Sequence, residues 1–364
     1  MTKKASAIMV TEAAYAGTLF QGDALEVMRT IPDDSIGLIY ADPPFFSGRD
    51  FFQGEELAFT DKWENGLSEY LTITQSHLTE MRRVLSHDGT LYVHSDFHSS
   101  HYLKVIMDSL FGYNKFLNEI VWKRQSAHCD VKQGSRHFGR IHDSILVYTK
   151  SNRYFWNQNF TPYRSGYIDR YYKYMEKNSG RRFALGDLTA PGGYGNGNAY
   201  YEFLGVSRFW RYSQKKMNTL KDEGRIYVPS RGKVPKLKRY LDEQNGIPLQ
   251  DIWEDVWSTR SDGGRIYPTQ KPSELLRRII QVSARPDSIV LDPYAGSGVS
   301  LLTAYKLGHP WIGIDISPSA IRIARDRLIQ SGAQFRVVQV HDNESTLPFQ
   351  TKYRSIRPSL QTTS

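Results

Sequence analysis

Apolar residues in this chain fall into two alternating patterns. Short continuous runs, such as IGLIYA at 36–41 and IVLD at 289–292, are separated by longer stretches in which apolar positions recur at helical spacing. Continuous runs bounded by turn residues predict strands buried on both faces, and the longer period predicts amphipathic helices. Strands are predicted at 18–21, 36–41, 90–94, 119–123, 144–148, 289–292, 311–315 and 335–340. Helices are predicted at 68–85, 98–110, 273–285, 297–307 and 319–331. This alternation predicts an α/β fold with a mostly parallel central sheet and helices on both faces.

The rhythm stops between about 151 and 250. APGGYGNGNAYYEFLG (190–205) has five glycines and no helical period, so loops and short strands are expected there. Charge changes at the same place. From Ser151 to Tyr240 there are 18 Lys+Arg against 6 Asp+Glu, a net +12 in a chain whose total is +9, and 12 of the 23 tyrosines. The rest of the chain is therefore slightly acidic. A basic, aromatic-rich block on such a body suits a polyanion, with cations for phosphates and rings for bases. A merely solvated, tyrosine-rich surface is the plainer reading of the same block.

The single cysteine, Cys129, excludes a disulfide framework and a cysteine-based zinc site, which predicts a reducing cytoplasm. No apolar run is long enough to span a bilayer, and the opening residues have no continuous apolar h-region. No signal peptide and no membrane association are therefore expected.

Two short motifs carry candidate chemistry. In SIVLDPYAGSGVSLLTAYKLGHPWIGIDIS (288–317) an apolar strand ends in Asp292, a glycine turn follows, and the next strand ends in Asp315. Gly296 and Gly298 would let the backbone approach a ligand, and Asp315 is placed to bond a ribose diol. Leu301 stands where a dinucleotide fingerprint keeps a third small residue, and no Gly-Lys-Ser/Thr is present. The acid ahead of the glycines would repel a pyrophosphate and suits a cationic ligand carrying an amine and a sulfonium, which is S-adenosylmethionine. The second motif, ADPPFFSGRDF at 41–51, places an acid, two prolines and two aromatics after a buried strand. Alone, a DPP tripeptide is also an ordinary turn.

Together these motifs resemble the beta-class DNA amino-methyltransferases, which act on N6 of adenine or N4 of cytosine. DPPF at 42–45 matches the family's catalytic motif and DPYAGSG at 292–298 its cofactor motif, with Tyr294 in the usual Phe place. PTQKP at 268–272 and QGDALEVM at 21–28 match two further elements. The catalytic motif precedes the cofactor motif, the circularly permuted order of the class. The resemblance covers roughly 18–150 and 250–332. It implies a Rossmann-like methyltransferase domain built from 18–150 and 250–345, a target-recognition insertion at 151–249, and flexible termini at 1–17 and 346–364. It implies S-adenosylmethionine as cofactor and double-stranded DNA as partner. A homodimer and a separate restriction endonuclease are further possible partners, in a prokaryotic cytoplasm.

Methylating an exocyclic amine needs a lone pair that the base normally delocalises. Two acceptors aimed at the N–H bonds favour a more nucleophilic nitrogen in the transition state. Asp42 supplies one, the Pro43 carbonyl the other, and Pro44 stiffens the pair. A base inside a duplex is unreachable, so it is flipped out, and Phe45 offers it a face. The resemblance assigns Gly22, Asp23, Thr269, Lys271, Asp292, Pro293, Ala295, Gly296, Gly298 and Asp315 to the cofactor. Asp23 is alternatively a strand-terminating acid, and Lys271 a partner for Glu274. His94, His98 and His101 are read as structural or pocket-wall residues, and no metal is expected. Cys129 lacks the Pro-Cys setting of a C5-cytosine nucleophile.

Candidates for DNA phosphates are Arg208, Arg211, Lys215, Lys216, Lys236 and Lys238. In DIWEDVWST (251–259) the tryptophans are expected to pack the insertion onto the catalytic domain, and Glu254 and Asp255 to fence the DNA channel. N6 of adenine is the preferred target, because DPPF is commoner among adenine enzymes; N4 of cytosine is the near alternative. A catalytically inactive DNA-binding regulator and a dinucleotide-dependent oxidoreductase are the readings from other classes. Intact Asp42, Gly296 and Gly298 oppose the first, and Leu301 and the basic insertion the second.

Overall fold

The structure, a computed structural model, describes residues 17–127, 134–192, 197–229, 234–257 and 267–340. Cys129, part of the glycine-rich loop and the C-terminal tail lie outside the described residues. The chain divides at Asn159/Phe160 and at Leu249/Gln250 into two compact units.

The larger unit begins with β1 (Thr18–Gln21), α1 (Ala24–Thr30), β2 (Ile36–Ala41), a hairpin of β3 (Asp50–Gln53) and β4 (Glu56–Thr60), α2 (Gly66–Val84), β5 (Leu85–Ser95), α3 (Ser100–Phe111), β6 (Phe116–Lys123) and β7 (His142–Thr149). The smaller unit contributes β8 (Phe160–Thr161), α4 (Tyr167–Tyr171), β9 (Tyr174–Met175), β10 (Arg182–Asp187), β11 (Tyr200–Phe203), β12 (Val206–Phe209), α5 (Gln214–Asp222), β13 (Ile226–Tyr227), β14 (Lys236–Tyr240) and β15 (Ile247–Pro248). The larger unit resumes with β16 (Ile252–Trp253), α6 (Ser273–Ser283), β17 (Ile289–Asp292), α7 (Val299–Lys306), β18 (Trp311–Asp315), α8 (Pro318–Gln330) and β19 (Arg336–Gln339).

Nine strands form one sheet in the order β16-β6-β7-β5-β2-β17-β18-β1-β19. The pairings of β7 with β5 and with β6 are antiparallel, and the others are parallel. The expected fold is therefore present. Alternation along each strand sends side chains to two helical layers. Ile39, Leu291 and Ile312 share a core with residues of α1, α2 and α3. Tyr92, on the other face, bonds Ser283 of α6 through its hydroxyl at 2.7 Å. Strands covered on both sides need no polar alternation, which is why they read as unbroken apolar runs.

Predicted strands at 18–21, 36–41, 289–292 and 311–315 have the observed limits. The helix expected from 297 begins at Val299, because Gly298 is its left-handed cap. Residues 151–159 run with the larger unit rather than the insertion: the Phe155 N–H donates to the Asp88 carbonyl and the Asn157 N–H to Val282. Helix α1 and the β3–β4 hairpin have no counterpart among the predicted elements.

The smaller unit holds short antiparallel strands in a sheet ordered β13-β14-β10-β9 with separate pairs β11–β12 and β15–β8, and the short strand expected within 190–205 is β11. Helix α5, which follows that stretch, has no counterpart among the predicted elements. It buries Met217 and Leu220 in a core with Leu188, Phe203, Trp210 and Leu237. Among the described residues no helix is long and apolar enough to cross a membrane.

Leu301 also acquires a physical role. A dinucleotide turn keeps a small residue on the helix so that helix and strand approach closely. Here the small residue is on the strand: a Cβ on Gly313 would stand 2.3 Å from Leu301 Cδ1 and 3.2 Å from Leu19 Cδ1. Leu301 and Leu19 are fully buried and have little room to give. Gly313→Ala is expected to cost about 1–3 kcal/mol, measured as a lowered midpoint of urea unfolding.

Candidate active site

Parallel strands deliver their carboxyl ends to one edge of the sheet, where ligands of such folds bind. At that edge β2 ends before Asp42, β17 in Asp292, β18 in Asp315 and β1 before Gly22 and Asp23. The cleft there has a volume of about 1050 Å³ and is lined by Asp23, Asp42–Phe45, Pro268–Lys271, Asp292–Ser297 and Asp315. Twelve of the fourteen sequence-assigned catalytic and cofactor residues line this cleft; Gly22 and Gly298 do not.

Asp42 is held by a single cation. Lys271 Nζ donates to both carboxylate oxygens, at 2.8 and 2.6 Å, with both side chains largely buried. Glu274 is bonded to Arg277 instead, so the alternative Lys271–Glu274 pairing is not the observed one. The Lys271 ammonium also lies 5.2 Å from the centroid of the Phe45 ring. One face of that ring stacks on His94, with centroids 5.8 Å apart. His94 is fully buried; Nδ1 bonds the Tyr40 hydroxyl at 2.9 Å and Nε2 lies 3.3 Å from Asp143 Oδ2. Its place is structural, as expected. Burial works to raise the Asp143 carboxyl, but the His94 hydrogen bond and the His94, Lys271 and Arg124 charges outweigh it and lower its pKa.

The backbone after Asp42 is fixed by a residue the motif does not contain. Asp61, 1% exposed, accepts from the N–H groups of Phe45 (3.1 Å), Phe46 (3.0 Å) and Ser47 (2.7 Å), the Ser47 hydroxyl (2.6 Å) and Trp63 Nε1 (3.0 Å). Phe46 has φ +66°, a left-handed conformation that a bulky residue adopts only when its surroundings insist. These bonds supply that insistence.

Burial dominates the two acids at the ends of β17 and β18. Asp292 is pushed up to about 7 by burial, reinforced by the Asp42 and Asp315 charges and opposed by bonds from the Ser300 hydroxyl and the Tyr294 N–H. Asp315 is pushed up to about 6 by burial, against bonds from the Gly296 and Ser317 N–H groups at 2.8 Å each. Both acids thus shape the glycine turn as well as facing the cleft. Asp23 caps α1 by accepting from the Glu26 N–H at 3.0 Å, rather than simply ending a strand. Gly296, at φ +50°, passes under Tyr267. Gly298 and Gly22 clear protein rather than ligand: an added Cβ would meet Ala324 Cβ at 2.7 Å and Val340 Cβ at 2.9 Å respectively. Thr269 has φ +62°, and its neighbour Gln270 is tied by Arg327, which also holds the Ser297 carbonyl at 2.8 Å.

Arg327, Asp61 and His77, which bonds the Tyr294 hydroxyl at 2.6 Å, are absent from the sequence assignment. Their neighbours in sequence carry no motif, and each acts across the chain. Asp255 forms a two-pronged pair with Arg278 at 3.0 and 2.8 Å. Trp253 is buried within the larger unit beneath the Arg278 guanidinium, 5.0 Å from its ring centroid, whereas Trp257 is 54% exposed. In the smaller unit Arg208, Arg211, Lys215 and Lys216 are exposed, while Lys236 pairs with Asp187 and Lys238 with Glu176. No group of acids, histidines or cysteines that could hold a metal occurs among the described residues.

Residues 36–326 match the N6/N4 methyltransferase family, described as DNA methylase. The chain belongs to that family. Among its relatives, type II methyltransferase M.EcaI of Enterobacter cloacae is 31% identical over 297 residues, covering 80% of this chain and 64% of M.EcaI. The StyLTI Mod subunit of a Salmonella typhimurium type III restriction-modification enzyme is 24% identical over 77% of this chain and 48% of its own. DNA adenine methyltransferase YhdJ of Escherichia coli is 25% identical over 86% of this chain and 83% of its own. The chain thus spans less than two thirds of the first of these family members and about half of the second.

Removing the Asp61 carboxylate would strand several donors of the catalytic loop. Asp61→Ala is expected to lose at least about 2 kcal/mol of stability, with Asp61→Asn intermediate because its amide has one acceptor oxygen; chemical denaturation reads both.

Proposed function

We propose that the larger unit transfers a methyl group from S-adenosylmethionine to the N6 amine of an adenine displaced from duplex DNA. The observation that carries this reading is the sharing of one cleft by an amine-accepting group, Asp42 beside Pro43, and the two acids of the cofactor side, Asp292 and Asp315. When bound, S-adenosylmethionine supplies a methyl group made electrophilic by its sulfonium. Asp42 has two oxygens, so one can stay with Lys271 while the other accepts an N–H of the base. The Pro43 carbonyl accepts the second. Phe45, backed by His94, keeps one ring face for the base. As the nitrogen takes the methyl group it releases a proton, which Asp42 is placed to receive.

Asp292 suits the positive end of the cofactor, since a bound cation lowers the cost of a buried negative charge, and Asp315 suits its ribose diol. Asp23, Thr269, Pro293, Ala295 and Gly296 complete that side, and Gly22 and Gly298 support the turns that carry it. Lys271 serves Asp42 rather than the cofactor in this scheme. The exposed cations Arg208, Arg211, Lys215 and Lys216 suit DNA phosphates, and the tyrosine-rich smaller unit the recognition of a target sequence. Support for adenine comes from DPPF and from the name of YhdJ.

The test is expression in a host lacking DNA methylation, followed by mass spectrometry of its nucleosides. N6-methyladenine is expected, with at least about a hundredfold loss in Asp42→Ala; N4-methylcytosine would move the reading to the other amine of the family, and neither would overturn it. Cofactor binding has a pH signature as well. Asp292, pushed up to about 7, must ionise to meet a cation, so affinity should rise up to about tenfold from pH 6 to 8. Without ligand the raised pKa contributes stability that is fully present below the ordinary carboxylate range and lost as pH rises through about 7. Titration calorimetry reads the first effect, and Asp292→Asn should flatten it.

A further inference from the structure

The segment Ser135-Arg136-His137-Phe138-Gly139-Arg140 has no part in the chemistry above. Phe138 is 96% exposed, more than any other large apolar residue among those described. Arg136, His137 and Arg140 beside it are exposed too. The segment is nevertheless anchored at the cleft: His137 and Arg140 line the same cavity as Asp42 and Phe45. The Arg140 guanidinium lies 3.7 Å from the ring centroid of Phe97, another cleft residue, and its carbonyl accepts from Arg124 Nη2 at 3.2 Å. The Arg124 N–H donates to the Ile141 carbonyl at 3.0 Å, tying the segment's end to the strand that carries Trp122. A bare aromatic ring therefore stands in the chain between two residues, His137 and Arg140, that line the cleft holding Asp42.

A base drawn into that cleft leaves a gap in the stack it came from, and proteins fill such gaps with apolar wedges that prop the duplex open. The cations around the ring match the phosphates flanking the gap. We propose that Phe138 inserts into the DNA at the step vacated by the target base, with Arg136 and Arg140 on the neighbouring phosphates. This role rests on the amino-methylation reading. It places a DNA contact in the larger unit, additional to the cations of the smaller one.

The test uses the full chain and an oligonucleotide duplex carrying the site that wild-type protein methylates in the host genome. Phe138→Ala should leave S-adenosylmethionine affinity within twofold of wild type and lower kcat/KM on the matched duplex at least tenfold. With an abasic site opposite the target base, where no pair has to be broken, the same variant should recover to within threefold of wild type. Phe138→Trp, which retains a stacking ring, should stay within threefold on both duplexes. Unchanged kcat/KM for Phe138→Ala on the matched duplex would overturn the proposal, and so would an equal loss on both duplexes, the mark of a simple backbone contact. A smaller sedimentation coefficient for Phe138→Ala would also overturn it, by assigning the ring to an interface between copies of the chain. A wild-type chain that binds the cofactor yet methylates no DNA would instead overturn the amino-methylation reading, and the wedge with it.

Discussion

Negative charge crowded at one edge of a parallel sheet is the condition around which this protein is organised. Strands β2, β17 and β18 are neighbours and run the same way, so the acids at their carboxyl ends, Asp42, Asp292 and Asp315, face a common cleft. Burying like charges together is costly, and the chain answers each differently. Asp42 has a lysine, Asp315 has two backbone N–H groups, and Asp292 has a serine hydroxyl and a backbone N–H. Burial still holds the last two well above the ordinary carboxylate range. In the proposed reading, a bound cation relieves part of that remaining cost at Asp292.

The same contacts give the site its stiffness. Asp61 gathers the backbone of the catalytic loop, and Arg327 joins the glycine turn to Gln270, next to the lysine that holds Asp42. Catalytic loop, cofactor turn and Lys271 are therefore parts of one bonded assembly, although Asp42 and Lys271 are 229 residues apart in the chain. In the proposed reading, such an assembly costs little reorganisation when charge develops at an amine, which is the physical content of preorganised catalysis. Strain at Phe46 and Thr269 belongs to the same assembly, since both hold left-handed backbone conformations beside residues that line the cleft.

In the smaller unit the basic composition that points to DNA conceals two populations of cation. Lys236 and Lys238 are engaged with Asp187 and Glu176 and stabilise a short antiparallel sheet, whereas Arg208, Arg211, Lys215 and Lys216 stand in solvent. Net charge counts the two alike. Of these six, the exposed four are available to a polyanion without breaking an ion pair.

Much of the architecture was legible along the chain. Strands buried on both faces have to be continuously apolar, so β1, β2, β17 and β18 were marked by hydrophobicity alone, and two strand-ending acids by their place beside glycine and proline. Helix α1, with few residues and one buried face, and the β3–β4 hairpin, with a half-exposed surface, offer too weak a period to stand out. What the tertiary structure decided is which groups answer those acids. The choice of Asp42 rather than Glu274 for Lys271, the recruitment of Asp61 to the catalytic loop and the duty of Gly298 toward Ala324 all depend on distance in space. A sequence fixes residue type and local period, which suffices for elements and motifs; the partner of a buried charge is set by packing between segments remote in the chain, and only the folded molecule holds that information.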